Sequence, residues 1–140
     1  MSQQLARPDV DIEADVSSIL ATYPPLTADR HHVHVTVQSG VVVLEGHVKT
    51  PITRLYLIES VAAISGVAGI SAGQLYDDET IRLNVGKQLP YGVYANPIFG
   101  VVALTGKLPA DVSQDEIIER TASVPGVVRV VAAFGLLHRV

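Results

Sequence analysis

Apolar and polar positions along this chain follow two different periods. From Asp11 to Thr22 the apolar residues fall at 12, 16, 19 and 20, one face of a helix. Tyr23-Pro24-Pro25 follows and reads as its stop. From Val33 the period changes to two. Val33, Val35 and Val37 alternate with His34 and Thr36, Ser39-Gly40 interrupts, and the run Val41–Val48 follows. This predicts a β-hairpin with a two-residue turn. Such a turn sets Val37 opposite Val42, Val35 opposite Leu44, His34 opposite Glu45 and His32 opposite His47. Thr50-Pro51 reads as an N-cap and a first helical residue, opening a helix that runs to about Ser65 and ends at Gly66. A third strand is predicted over Val67–Leu75.

The pattern then repeats. Shifted by 60 residues, Gly40–Leu75 aligns with Gly100–Gly135 without a gap. Eleven of these 36 positions are identical, among them Gly40, Val41, Val42, Leu44, Gly46, Glu59 and Gly66. Upstream the offset is 69, which sets Ile12, Val16 and Leu20 against Ile81, Val85 and Leu89. The second copy therefore reads as a helix over Thr80–Leu89, a hairpin with its turn at Phe99-Gly100, a helix capped by Ser113 and Glu116, and a strand over Val127–Phe134. Pro97 removes a ladder donor and suits an edge strand. The expected fold is α+β: two tandem αββαβ two-layer sandwiches, each with its helices on one face of a small mixed sheet. Repeat 1 is expected at residues 9–75, a linker at 76–79, repeat 2 at 80–135 and a tail at 136–140.

Composition narrows the function. The chain has 140 residues and no cysteine, which excludes disulfides, thiolate metal sites and cysteine nucleophiles. A chain of this length buries roughly 68% of its unfolded surface, enough for a core without staples. Twenty-two valines against two phenylalanines favour strands packed by small β-branched residues. The net charge of −4 lacks the basic footprint of a nucleic-acid binder. No apolar run reaches the ~18–20 residues of a membrane span. No G-x-S-x-G elbow or paired-carboxylate cleft is visible. No enzyme activity and no cofactor are expected.

Three clusters carry candidate chemistry. In the predicted register His32, His34, Glu45 and His47 share the outer face of the first hairpin, a ligand set for a transition metal or else a solvated polar face. The second hairpin places Tyr94, Ile98, Val101 and Ala103 on its outer face, with Phe99 at the tip and Tyr91 before it. Exposed apolar patches mark contacts. Tyr91, Tyr94, Ile98, Phe99 and Val101 are therefore candidate residues for a lipid surface, a protein partner or a second copy, unless this face packs on the first repeat. The strand Val127–Phe134 also offers a sheet edge to another chain. Finally, Asp77-Asp78-Glu79 supplies oxygens for a weakly held cation, or negative charge for a helix N-terminus.

The segments "VHVTVQSGVVVLEGHV" at 33–48, "SGVAGI" at 65–70, "IFGVVALTGKL" at 98–108 and "VPGVVRV" at 124–130 together resemble the BON domain, the bacterial OsmY and nodulation module. The likeness is good in the first copy and degenerate in the second around residues 90–97. It implies a non-enzymatic module tied to envelope stress and phospholipid binding, and one cytoplasmic member type binds potassium. The expected function is thus a tandem binding module for phospholipid, envelope or protein partners, or alternatively a cytoplasmic ion-responsive or self-assembling scaffold. A homo-oligomer is expected in either case. The start Met1-Ser-Gln-Gln-Leu-Ala-Arg-Pro has no apolar core. As written it implies the cytoplasm, and the periplasm if a leader preceded it.

Overall fold

A computed structural model describes residues 7–135, so the expected tail at 136–140 lies outside it. The chain divides into two compact units between Tyr76 and Asp77.

In the first unit, helix α1 (Asp9–Thr22) is followed by a short helix α2 (Pro24–Asp29). Strands β1 (Val33–Gln38) and β2 (Val41–Val48) then pair antiparallel, with Val37 opposite Val42, Val35 opposite Leu44 and His34 opposite Glu45. Ser39 and Gly40 have φ of 52° and 79°. Two positive φ values give the primed turn whose twist matches the flanking strands. Helix α3 (Pro51–Ala62) starts at Thr50, whose hydroxyl accepts the Thr53 N–H at 3.2 Å. Strand β3 (Gly69–Asp77) lies beside β2, so the order is β1-β2-β3. Ile12 and Val16 from α1, Leu26 from α2, Leu57 and Val61 from α3, and Val42 and Leu44 from β2 form one fully buried core.

The second unit repeats this order without the counterpart of α2. Helix α4 (Asp78–Gly86) leads to β4 (Val93–Ile98) and β5 (Val101–Gly106), paired with Ile98 opposite Val101 and Ala95 opposite Leu104. Helix α5 (Gln114–Ala122) is capped by Ser113, whose hydroxyl accepts the Glu116 N–H at 3.4 Å. Strand β6 (Arg129–Ala132) runs parallel to β5, and the order is β4-β5-β6. Ile81, Val85, Val102, Leu104 and Ile117 fill the core. The fold is α+β, with αββαβ order in the second unit and the same order in the first apart from the added α2.

The structure adds to two local expectations. Helix α1 does end at Thr22, before Tyr23-Pro24-Pro25, but the two prolines also open α2, because proline at a first helical position has no N–H to lose. Asp29, at the end of α2, then accepts the Lys49 N–H at 3.1 Å and ties this extra helix to the end of β2. The boundary between the units falls within residues 76–79, which belong to regular elements: Tyr76 and Asp77 end β3, and Asp78 and Glu79 begin α4.

Candidate binding surface

The tip of each hairpin is held by a carboxylate. Asp9, in the first turn of α1, accepts the Ser39 N–H at 2.8 Å and the Gly40 N–H at 2.9 Å. Asp78, in the first turn of α4, accepts the Phe99 N–H at 2.7 Å and the Gly100 N–H at 3.0 Å. In a primed turn these donors point away from the ladder, so an outside acceptor is needed. Asp77 caps α4 by accepting the Thr80 N–H at 2.7 Å. These aspartates are therefore engaged by backbone donors, and of the two readings of Asp77-Asp78-Glu79 the structure shows negative charge at a helix start, where Asp77 caps α4 and Asp78 clamps the turn.

The second hairpin presents the predicted apolar residues. Tyr91 is 98% exposed, Tyr94 64% and Ile98 60%, while Phe99 and Val101 are half-buried. The β5–β6 register adds Val131 beside Ala103 on the same face. Tyr94 also lines a shallow cleft of about 560 Å³ between α4 and β4. Leu83, Leu89, Val93 and Ala95 supply its apolar wall, and Arg82 and Lys87 its charged lining. No acidic residue lines it. Neither cation forms an ion pair among the described residues. The arrangement offers apolar contact beside two positive charges that form no ion pair among the described residues, which suits a ligand with a negative head and an apolar body.

The histidine set does not assemble. His34 and Glu45 are exposed and face each other across the ladder, as predicted. His32, however, lies in a 3-10 turn (Arg30–His32) before β1, where the ladder has already ended at Val33 and Gly46. His47 is 9% exposed, with its ring 5.9 Å from that of Tyr76. The cause is Gly46, whose φ of 113° breaks the alternation, so that His47 and Val48 are both buried. A Cβ at Gly46 would stand 2.0 Å from the His32 carbonyl oxygen, so only glycine fits. Gly106 repeats this, with φ of 95° and a Cβ position 2.1 Å from the Gly92 carbonyl oxygen. Among the described residues no three His, Cys, Asp or Glu side chains converge on a metal position.

One surface escaped the sequence reading. Ile52, Leu55 and Tyr56 are 74%, 54% and 41% exposed on α3, and Tyr56 stacks on Tyr23 with centroids 3.8 Å apart. Their i, i+3, i+4 spacing was the available signal. It is overlaid by the stronger inward set Thr53, Leu57 and Val61, which is buried.

Among the described residues no helix is long and apolar enough to cross a membrane. The class of molecule is thus a pair of small α+β sandwiches bearing an apolar, locally basic surface. Residues 8–73, nearly all of the first unit, match the family model of the BON domain. Two solved structures are similar at low identity. One is CdsD, a structural protein of the type III secretion system of Chlamydia trachomatis, with 13% identity and a TM-score of 0.39, covering 89% of this chain and 91% of that one. The other is the C-terminal domain of CdsD, with 13% identity and a TM-score of 0.37, covering 91% of this chain and 98% of that one. No curated protein matches the sequence.

Proposed function

We propose that this chain is a non-catalytic binding module made of two BON-type units, the second diverged, and that the second unit engages anionic phospholipid. The observation that carries this reading is Tyr94. It stands on the exposed face of β4 and also lines the cleft that holds Arg82 and Lys87. A tyrosine ring with an apolar body and a polar edge is suited to the boundary between headgroups and acyl chains. The two cations supply local attraction that the net charge of −4 does not. The second unit is read as a diverged BON copy because its hairpin turn, its strand-ending glycine and its aspartate clamp recur at the matching positions. Flotation with phosphatidylglycerol vesicles tests the proposal. Binding at low salt that fades as salt rises is the expected result. No flotation with any anionic mixture at low salt overturns it.

A further inference from the structure

We infer that β6 is the edge through which two copies of this chain pair, strand against strand, about a twofold axis at Val130. The inference is independent of the lipid reading.

The order β4-β5-β6 leaves β6 outermost. The Val128 N–H bonds the Gly100 carbonyl at 2.8 Å, and Val130 registers with Val102. Backbone groups in a strand alternate in direction, so residues 128 and 130 address β5. Arg129 and Val131 then direct both N–H and C=O outward. Both residues are exposed, Val131 at 41% and the neighbouring Val128 at 68%.

Two of the other edges, β3 and β4, carry features that β6 lacks. On β3, its counterpart in the first unit, the Arg54 guanidinium reaches from α3 and donates to the Leu75 carbonyl at 2.7 Å and the Ala72 carbonyl at 2.9 Å. Arg54 thus engages two backbone acceptors near the end of that edge strand. Sixty residues on, the corresponding position is Gln114, the first residue of α5, and among the described residues no such arm reaches β6. On β4, the opposite edge of the second sheet, Pro97 lacks the N–H that a further strand would need. Natural sheets guard their edges in these ways, and an unguarded edge is a pairing surface.

The edge is complementary to itself. An antiparallel twofold at Val130 sets Arg129 opposite the second copy's Val131, and the reverse. Each of these pairs exchanges two backbone hydrogen bonds, about four in all. Arg129 then lies across from valine instead of from a second guanidinium. The two sheets become one of six strands, and each Val131 on the face that holds Ile98 and Val101 meets the aliphatic stem of the other copy's Arg129 at the join.

Light scattering on eluting protein and backbone hydrogen exchange test this together. The expected mass approaches twice 14.9 kDa as concentration rises. Amide protection at Arg129 and Val131 should rise with it. Val131→Pro removes only an outward donor, so it should give a monomer with unchanged circular dichroism. A wild-type chain that stays monomeric at millimolar concentration overturns the inference. So does a folded Val131→Pro variant that still dimerises. Should that variant fail to fold, exchange in the wild type decides: protection at residues 129 and 131 that does not change with concentration rejects the pairing.

Discussion

Asp9 and Asp78 occupy the same place in their two units, 69 residues apart, and each receives two backbone N–H groups from the tip of the hairpin that follows it. Each clamp joins the start of a helix to a turn more than twenty residues on, and so fixes where the hairpin tip lies.

Removing either clamp leaves turn donors without their acceptor. Hydrogen bonds to a charged group contribute about 1.5–3 kcal/mol each, less where water replaces the lost partner. Asp78 and Gly100 are buried, whereas Asp9 is half-buried and Ser39 exposed. Asp78→Ala is therefore expected to cost about 2–4 kcal/mol, and Asp9→Ala about 1–2 kcal/mol. Chemical denaturation of both variants checks the order. Equal costs would show that the buried clamp has no special weight.

The strand-ending glycines allow a sharper test. A Cβ at Gly46 or Gly106 would lie 2.0 or 2.1 Å from a backbone carbonyl oxygen, in a backbone conformation with positive φ. Neither the contact nor the conformation relaxes without moving the chain before β1 or β4. Gly46→Ala and Gly106→Ala should each destabilise by more than about 2 kcal/mol, well above a typical surface substitution. Circular dichroism melts would expose a smaller loss and with it a different local path for the chain.

Leu44 and Leu104 are both 0% exposed, on β2 and β5, at equivalent positions in the two hairpins. Truncation to alanine leaves a cavity as well as losing burial, and each change should cost about 2–5 kcal/mol. Thermal unfolding of the two single variants measures this. A loss below about 1 kcal/mol at either site would mean that its core collapses to fill the space.

These cases show what the chain spelled out and what it concealed. The hairpin registers and the Leu44–Leu104 equivalence were legible, because a period of two and a two-residue turn leave one pairing. Helix α2 was not, since Pro24-Pro25 serves as a stop or a start depending on the backbone that follows. The histidine set failed for one reason, the positive φ at Gly46, which alternation cannot foresee. The clamps were half legible. The 69-residue offset that aligned Ile12 with Ile81 also aligns Asp9 with Asp78. Their role depends on a helix start meeting a distant turn, and no local pattern encodes that. The apolar face of the second hairpin was legible at Tyr94 and Ile98. Its cationic cleft was not, because Arg82 and Lys87 join Tyr94 only when α4 packs beside β4.

The lipid reading makes its strongest demand on that cleft. A basic side chain near an anionic membrane contributes about 1 kcal/mol, so neutralising two should weaken vesicle binding by roughly 30-fold. Arg82→Gln with Lys87→Gln is the variant to compare with the parent on phosphatidylglycerol vesicles at low salt. Both side chains lack an ion pair among the described residues, so folding should be unaffected. Tyr94→Ala should weaken binding without changing its dependence on salt, since it removes apolar contact and leaves the charges. Phe99 is the poorer probe, because it is half-buried at a clamped turn. Equal binding by the parent and the double glutamine variant would separate the cleft from the membrane and leave the exposed tyrosines as the only contact.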